Sequence, residues 1–499
     1  MAGGGMVDKV VASGGGGGWR REARWRKLLA GFLASLQALA AGLVVGWDWV
    51  DGEDDSWLPS VAGLGTVVGA APIQHVLSVS HIQGVLAASL QALAAGLVVG
   101  WDWVDGEDDS WLPSVAGLGT VVGAAPAGWL ADMLGRRTVL LASALPGVTG
   151  WTLVAAAGQA PRTRELLYAG RFVSGLSTGV CSVALAMYNC EAACGGPRGS
   201  VGSLQFLLYI AGIAAARALT AFAPPLWLPA VAAASHAGAA LALAWVPESP
   251  LHLVRRGHVA AAEAALARLG AADPARAARR LGDLVADRPT AARLLRVGVV
   301  AVGLMMFRQL VGARAVAALS RAVFPPHWLA GCPPALALAL TGVLGALLPA
   351  LCGDAVGRKM LMMSSGAAMA VCHLSLSVFL FVRGAHPGQD LAAVAWLPVA
   401  SALAHAAAFG AGFGALPWLV VSEVAPPAGK GHLLSLAACA NHVLALMFSR
   451  AFYGSPGSVH HPVLSLMFCC SCCLGMLFVV LYVPETKRRS LKEVQDLLK

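Results

Sequence analysis

Charged residues are scarce in this sequence: they make up 12% of its 499 residues, against roughly 25% in soluble domains. This scarcity excludes a soluble enzyme, a disordered chain and a nucleic-acid binder of the ordinary type. The chain also lacks a nucleophile elbow, a phosphate-cradling loop, zinc-ligand spacing and an Asn-x-Ser/Thr sequon. The four cysteines within 469–473 lie in an apolar stretch, where cysteine usually acts as a small hydrophobe. We therefore expect no catalysis, no metal and no cofactor.

Hydrophobic side chains, by contrast, make up 58% of the residues, and the mean hydropathy is +0.70. Apolar stretches of about 20 residues recur along the whole chain, and each is long enough to cross about 30 Å of hydrocarbon as a helix. The 58 glycines favour close helix packing. The sequence predicts an all-α polytopic membrane protein, with the lipid bilayer as its surroundings.

The distribution of charge predicts the orientation in the membrane. Basic residues collect near both termini, at Arg136 and Arg137 and within 255–296, whereas acidic residues collect within 105–109. Lysine and arginine mark the cytoplasmic side of short membrane loops. Both termini and the central basic stretch are therefore expected in the cytoplasm of a multi-pass plasma-membrane protein. The net charge of +9 follows this sidedness and indicates no nucleic-acid partner.

One segment of the chain is repeated without a single change. Residues 34–72 recur as 88–126, at an offset of 54 residues, and cover one span, the acidic loop and most of a second span. Segments packed at different sites are expected to diverge, because each core needs its own shapes. Perfect identity indicates a recent tandem duplication or a faulty gene model. Only the second copy continues into the basic loop at 132–137, so we take it as the functional copy.

Counted from the second copy, the apolar stretches predict two sets of six spans around a polar linker. The predicted spans are 87–104, 112–131, 138–158, 165–188, 200–222, 226–246, 298–323, 333–352, 360–383, 395–421, 432–453 and 462–483. The predicted domains are a Gly-rich basic cytoplasmic tail (1–30), the duplicated extra helix pair (31–85), an N-terminal six-helix half (86–246), a cytoplasmic helical linker (247–297), a C-terminal six-helix half (298–483) and a cytoplasmic tail (484–499).

The same loop pattern stands at corresponding places in the two halves. Asp132 precedes the run Gly135–Arg137 between spans 2 and 3, and Asp354 precedes the run Gly357–Lys359 between spans 8 and 9. Glycine allows a tight turn, and the carboxylate can reach the positive end of the next helix or a nearby Arg. Repeated halves of this kind are typical of membrane transporters.

With these loops, the chain resembles the sugar porter family of the major facilitator superfamily over roughly residues 87–499. The resemblance is carried, in order, by Gly170-Arg171-Phe172, Tyr188-x2-Glu191, Arg198-Gly199, Pro247-Glu248-Ser249-Pro250, Gln309-Leu310-x-Gly312, the run from Gly412 to Trp418, Glu423 and Pro484-Glu485-Thr486-Lys487. These motifs are specific together, although each alone is weak. Trp396-Leu397-Pro398, followed by Gly412-Phe413-Gly414, is most similar to the facilitated trehalose transporters and their hexose-carrier relatives.

The resemblance implies the major facilitator fold, in which two six-helix halves with twelve transmembrane helices rock about a central site. It also implies a cytoplasmic charge network that closes one side. Carried over residue by residue, this network consists of Asp132, Arg136, Arg137, Glu191, Arg198, Glu248, Asp354, Arg358 and Glu423. Single exposed pairs contribute only about 0–1 kcal/mol, so a gate needs a network. The simpler alternative is that these charges only keep the loops inside.

The resemblance further implies a monomeric facilitator for a small sugar, trehalose or a hexose. A sugar site needs amides and hydroxyls for hydrogen bonds and an aromatic face for the C–H side of the ring. The matching positions are Gln309, Trp418 and Asn441, with Gly414 permitting close approach. Gln205 stands one residue before the position where the family has its span 5 Gln.

Several positions depart from the family pattern. Arg308 and Arg314 replace two amides of span 7, and Gly342 replaces an Asn of span 8. His442 replaces an aromatic residue after Asn441. An Arg at mid-membrane costs at least about 2.5–3.5 kcal/mol on insertion scales, so Arg308 and Arg314 need a partner, an aqueous cavity or an anionic ligand. Placed in the substrate site, they predict a changed substrate preference or a loss of transport.

Two other functions stay open. Gly100-Trp101-Asp102 resembles span 1 of proton-coupled sugar porters, whose partner Arg matches Arg171, so Asp102 and Arg171 could couple transport to protons. Asp102 can equally be the start of the acidic outer loop, since Asp105 follows at once. The second alternative is a non-transporting sensor or decayed paralogue, which the altered amides and the undiverged duplication suggest.

Overall fold

The structure is a computed structural model that describes residues 79–100, 111–158, 163–193, 198–324, 332–386, 394–454, 461–487 and 489–497. The predicted tail at 1–30, the first copy of the duplicated segment and Asp102 lie outside these ranges. Within them the regular secondary structure is helical, with no β-strand. The predicted fold class, an all-α polytopic membrane protein, is confirmed.

Six long helices form the first half of the bundle. They are α1 (Val79–Gly100), α2 (Leu112–Leu134), α3 (Arg136–Ala157), α4 (Thr163–Ala192), α5 (Arg198–Phe222) and α6 (Trp227–Ala244). Among them α4 is central, because it packs against both α2 and α3 and its apolar stretch is the most buried of the candidate spans.

Three short helices follow and form the linker: α7 (Pro250–Arg255), α8 (Val259–Arg268) and α9 (Pro274–Ala286). Their apolar faces share a small core in which Leu251, Leu266 and Leu281 pack with Cys190 near the end of α4. This core attaches the linker to one end of the bundle, which we call the linker end.

The second half contains α10 (Ala291–Leu310), α11 (Ala313–Val323), α12 (Pro334–Val356), α13 (Arg358–Ala385), α14 (Trp396–Ala411), α15 (Leu416–Val424), α16 (Lys430–Gly454), α17 (Pro462–Tyr482) and the short α18 (Leu491–Asp496). Helices α10 and α11 together form span 7, and α14 and α15 together form span 10.

Eleven helical segments of the described chain are long and apolar enough to cross a membrane, and α1 adds a shorter apolar stretch, Val85–Gly100. They correspond to the twelve predicted spans. The structure differs at spans 7 and 10, which the sequence predicts as continuous. Span 7 breaks at Gly312, whose φ is +81°, and span 10 breaks ahead of Pro417. Left-handed glycine and helix-starting proline both interrupt a helix without lowering its hydropathy much.

The two halves meet along two helix pairs, α2 with α16 and α5 with α12. Small residues permit this contact. A Cβ atom added at Gly128 of α2 would collide with the backbone of Gly431 on α16. The halves therefore touch backbone to backbone at the linker end, in the manner of close-packed membrane helices.

Both halves use the same device to begin their third span. In the first half Gly135, with φ +99°, turns the chain so that the backbone N–H groups of Arg136 and Arg137 donate to Glu248 Oε1 at 2.8 and 3.0 Å. A carboxylate at a helix N-terminus satisfies orphan N–H groups and the helix dipole. Any Cβ at Gly135 would collide with the Glu248 carboxylate.

We expect Gly135→Ala to destabilise the protein by about 1–3 kcal/mol, because its φ and ψ of 99° and 151° fall in a region open almost only to glycine. The collision with Glu248 adds to this cost. Gly384→Ala is the matched control, since nothing lies within 4 Å of a Cβ at that helical position. Apparent melting temperatures in detergent measure both. Equal melting temperatures for the two variants would contradict the assignment.

Candidate functional site

The first-half charge cluster at the linker end is centred on Arg136. Its Nε lies 2.9 Å from Glu191 Oε2, and both side chains are fully buried. Asp132 Oδ1 lies 3.0 Å from Arg136 Nη2 and 2.8 Å from Arg255 Nη1 of the linker. Buried charges are stable only when they are paired and hydrogen-bonded. Four charged groups from α2, α3, α4 and the linker therefore fix one another.

The second half repeats this arrangement around Arg358. Its Nη2 lies 3.3 Å from Glu423 Oε1 and 3.0 Å from Asp354 Oδ1. Glu485 takes the role of Glu248, because it accepts the backbone N–H groups of Arg358 and Lys359 at 3.2 and 3.1 Å. The sequence motif containing Glu485 was visible, yet Glu485 was not among the predicted network residues.

Two predicted network residues make different contacts. Arg137 donates from Nε to Leu243 O at 3.0 Å and from Nη2 to Ala244 O at 2.7 Å, so its side chain caps the end of α6. Arg198 donates from Nη1 to Arg489 O at 3.3 Å, which ties α5 to the C-terminal segment. Both lie at the linker end, but in these contacts they bind carbonyls.

Hydrogen bonds and an ion pair cross between the halves at this end. Lys430 Nζ, at the start of α16, lies 3.3 Å from Glu191 Oε1 and is buried. Asp354 accepts the backbone N–H groups of Gly199 and Ser200 at 2.9 and 3.0 Å. Gly128 N donates to Ser435 Oγ at 2.9 Å. Sequence reasoning missed Lys430; the available signal was a lone Lys at the first turn of a span.

His252, on α7, joins the first-half cluster. Arg136 Nη1 donates to His252 Nδ1 at 2.9 Å, which requires that nitrogen to be unprotonated. Burial lowers the pKa of His252, and the charge of Arg136 lowers it further, while Glu248 and Glu191 oppose the shift. The sequence alone did not indicate His252, because it depends on how the linker folds back.

A cavity lies between the halves, deeper in the bundle than the linker-end charges. Its volume is about 1140 Å³, counting the part that opens to solvent. Side chains from α1, α2, α4 and α5 line one side, and side chains from α10, α11, α15 and α16 line the other. A cavity lined by apolar groups and a few polar ones is typical of sites for small organic ligands.

Asn441 is the centre of the polar groups in this cavity. Its Oδ1 accepts Gln309 Nε2 at 2.8 Å and Arg308 Nη1 at 3.2 Å. Its Nδ2 contacts His442 Nδ1 at 3.4 Å, and His442 Nε2 lies 3.1 Å from Ser182 Oγ across the cavity. One hydrogen-bonded chain therefore connects the second half to α4 of the first half.

Most of the predicted substrate residues line the cavity together: Gln205, Arg308, Gln309, Arg314, Trp418 and Asn441. Gly414 does not line it. A Cβ there would lie 2.6 Å from Phe206 Cζ, so Gly414 makes room for Phe206, while its carbonyl accepts Arg308 Nε at 3.1 Å. Gly342 packs against Ile210 at the contact between α12 and α5.

Arg171 lines the first-half side of the cavity and donates from Nη1 to Val98 O at 2.8 Å. Its predicted partner, Asp102, lies outside the described residues, so the pair stays a prediction. Among the described residues no group of His, Cys, Asp and Glu side chains could hold a metal ion.

Comparison with known proteins identifies what this architecture is similar to. A family model described as sugar (and other) transporter matches residues 83–498. The facilitated trehalose transporter Tret1 of Bombyx mori is 27% identical over 405 residues, covering 78% of this chain and 79% of that protein. The facilitated glucose transporter member 8 of solute carrier family 2 from Mus musculus is 29% identical, covering 77% and 84%.

Solved structures share the fold. The major facilitator superfamily proton:xylose symporter XylE, bound to 6-bromo-6-deoxy-D-glucose, superposes with a TM-score of 0.69 at 23% identity and covers 86% of this chain and 99% of its own. An inward-open XylE structure from E. coli has a TM-score of 0.57 at 21% identity, with 84% and 98% coverage. The two-half helical bundle therefore has the same fold as these solved structures.

We expect His252 to make stability depend on pH. Its lowered pKa means that the unfolded chain binds the proton more readily, so stability is full above the ordinary value near 6.5 and falls as the pH drops below it. His252→Asn keeps an acceptor for Arg136 that does not titrate. On acidification to about pH 5, wild type should lose about 1 kcal/mol more than the variant. The exposed His432→Asn is the control, and an identical acid loss in wild type and His252→Asn would refute the role.

Removal of the Lys430 charge should loosen the linker end. Lys430→Met leaves Glu191 paired with Arg136 but without its partner from the other half, so the start of α16 should open more often. Hydrogen–deuterium exchange there should quicken by about tenfold, equivalent to about 1.4 kcal/mol. Lys359→Met is the control, because Lys359 Nζ donates to Val480 O, which belongs to the same half. Unchanged exchange in Lys430→Met would show that this ion pair does not hold the halves.

Proposed function

Because the chain belongs to the sugar (and other) transporter family, we propose that it moves trehalose or a hexose across the plasma membrane by facilitative alternating access. The observation that carries the proposal is the cavity, which both halves line while charged groups join the halves at the linker end. We propose a monomer within the bilayer, a transporter rather than an enzyme, with both termini and the linker in the cytoplasm.

The chemistry of the cavity supports a sugar. Gln205, Gln309 and Asn441 supply amides that can bond to hydroxyl groups, and Trp418 supplies an aromatic face. Aromatic rings pack against the apolar C–H faces of a sugar ring while amides fix its orientation. These groups come from α5, α10, α15 and α16, so a bound sugar would contact both halves.

The contacts at the two ends support alternating access. At the linker end, Lys430 and Asp354 connect the halves, and they must separate before a ligand can leave that way. At the opposite end, the guanidinium of Arg450 on α16 lies 4.0 Å from the ring centroid of Trp111, just before α2. A cation–π contact contributes about 0.5–1 kcal/mol at exposed sites, and this one must break when the halves separate at that end.

The transport test is flux of radiolabelled trehalose and glucose into liposomes that contain the purified protein. We expect saturable uptake down the gradient. Trp418→Ala should raise KM by about tenfold, since it removes the aromatic face. Trp396→Ala is the matched control, because Trp396 is exposed at the start of α14. Binding without flux would indicate a sensor and contradict the carrier.

Proton symport is the second candidate, and the position of Arg171 in the cavity wall favours it. A carboxylate at Asp102 that pairs with Arg171 could release it on protonation. In the same liposomes an imposed proton gradient would then drive sugar above its equilibrium level. Asp102→Asn should abolish that accumulation and leave exchange of sugar intact. Uptake indifferent to the proton gradient would favour the facilitator.

A further inference from the structure

The cavity contains permanent positive charge, and its described lining residues supply no matching carboxylate. Arg308 and Arg314 both line it, and no Asp or Glu is found among its described lining residues. The linker end is the opposite case, since Arg136 and Arg358 each have a carboxylate within 3.3 Å. This fold therefore pairs arginine with a carboxylate at the linker end, whereas Arg308 and Arg314 have no carboxylate partner among the described residues of the cavity.

The hydrogen-bond partners of Arg308 are all neutral. Its Nε donates to Gly414 O at 3.1 Å, and its Nη1 donates to Asn441 Oδ1 at 3.2 Å. The rings of Phe206 and Phe409 lie 5.7 and 5.6 Å from its Cζ. These contacts fix the guanidinium in one orientation, and the cation–π attraction offsets part of the free energy needed to bury its charge. Its Nη2 makes no hydrogen bond to the described residues and is left for a ligand.

Among the described residues, Arg314 has one hydrogen-bond partner, and that partner is neutral. Its Nη1 donates to Ser449 Oγ at 2.7 Å, and neither its Nε nor its Nη2 bonds to another described residue. Residues six apart on a continuous α-helix point about 120° away from each other. The break at Gly312 removes that restriction, and both arginines line the same cavity. The remaining N–H donors of Arg308 and Arg314 therefore face the same cavity.

The neighbouring titratable groups do not supply the missing negative charge. His442 accepts Asn441 Nδ2 at its Nδ1, which leaves the ring neutral with Nε2–H donating towards Ser182. Tyr209, also in the wall, is a phenol and neutral at physiological pH.

We propose that the preferred substrate of this cavity is an anionic sugar, whose carboxylate or phosphate binds Arg308 and Arg314 while its ring binds Gln309, Asn441 and Trp418. This inference rests on the proposed sugar transport and changes its preferred substrate from a neutral sugar to an anionic one. A guanidinium binds such oxyanions through two parallel N–H donors, and low-dielectric surroundings strengthen the attraction. A neutral hexose would leave both charges without a counter-ion.

The test is competition and uptake in liposomes held at zero membrane potential, with radiolabelled glucuronate, glucose 6-phosphate and glucose as probes. We expect glucuronate or glucose 6-phosphate to bind at least about tenfold more tightly than glucose, and the better of the two identifies the anionic group. Arg308→Gln and Arg314→Asn should each remove most of this preference. Arg308→Lys, which keeps the charge, should retain part of it and serves as the second variant at this position.

Arg383→Gln is the control, because Arg383 is exposed at the end of α13, away from the cavity. Glucose bound or moved as well as both anions, in wild-type protein, would overturn the anionic preference and leave sugar transport standing. No binding and no flux of any of the three sugars would count against the sugar-transport proposal itself. An anionic preference that survives both Arg308→Gln and Arg314→Asn would overturn the assignment of these residues.

Discussion

A guanidinium or carboxylate within a membrane bundle must replace its lost water with an opposite charge or with several hydrogen bonds. The linker end meets this requirement internally. Arg136 is paired with Glu191 and Asp132, and Arg358 is paired with Glu423 and Asp354. In the described part of the cavity, Arg308 and Arg314 meet it with neutral acceptors. The same constraint therefore has two results. At the linker end the charges bind parts of the protein to one another, and in the cavity the charges are left for a ligand.

The two halves repeat the same local solution, but the contacts between them are not symmetric. Each half places a glycine before its third span and a glutamate that caps the following helix, Glu248 in one and Glu485 in the other. Across the interface the second half supplies Lys430 to Glu191 and Asp354 to the backbone of α5. The repeated contacts within each half make that half a rigid unit. The contacts across the interface are not repeated, and they must break when the halves separate.

The sequence was sufficient to predict the features that depend on residues close to one another along the chain. Hydropathy located the spans, and the repeated loop motifs indicated Arg136 and Arg358, because a turn glycine beside charges has few other uses. Glu191 and Glu423 were indicated by the resemblance to the sugar porter family. Contacts such as Lys430 with Glu191 could not be predicted in this way. They join segments more than 200 residues apart, and which residues meet depends on how two finished bundles face each other.

The break in span 7 shows how a remote contact decides the site. Turning the chain at Gly312 leaves the carbonyl of Val311 without a helical partner, and His373 and His405 both lie 3.0 Å from it through Nε2. Two N–H donors fill both lone pairs of that oxygen, so the break is satisfied within the second half. The rings pack edge to face at 4.7 Å, which fixes the turn further. Because His373, His405 and Cys472, whose Sγ lies 4.0 Å from the same oxygen, all belong to the second half, Arg308 and Arg314 keep their relative positions when the halves move. The contact between His442 and Ser182 joins the two halves across the cavity, so it changes when the halves move. A ligand that reaches both walls takes the place of this contact or strengthens it.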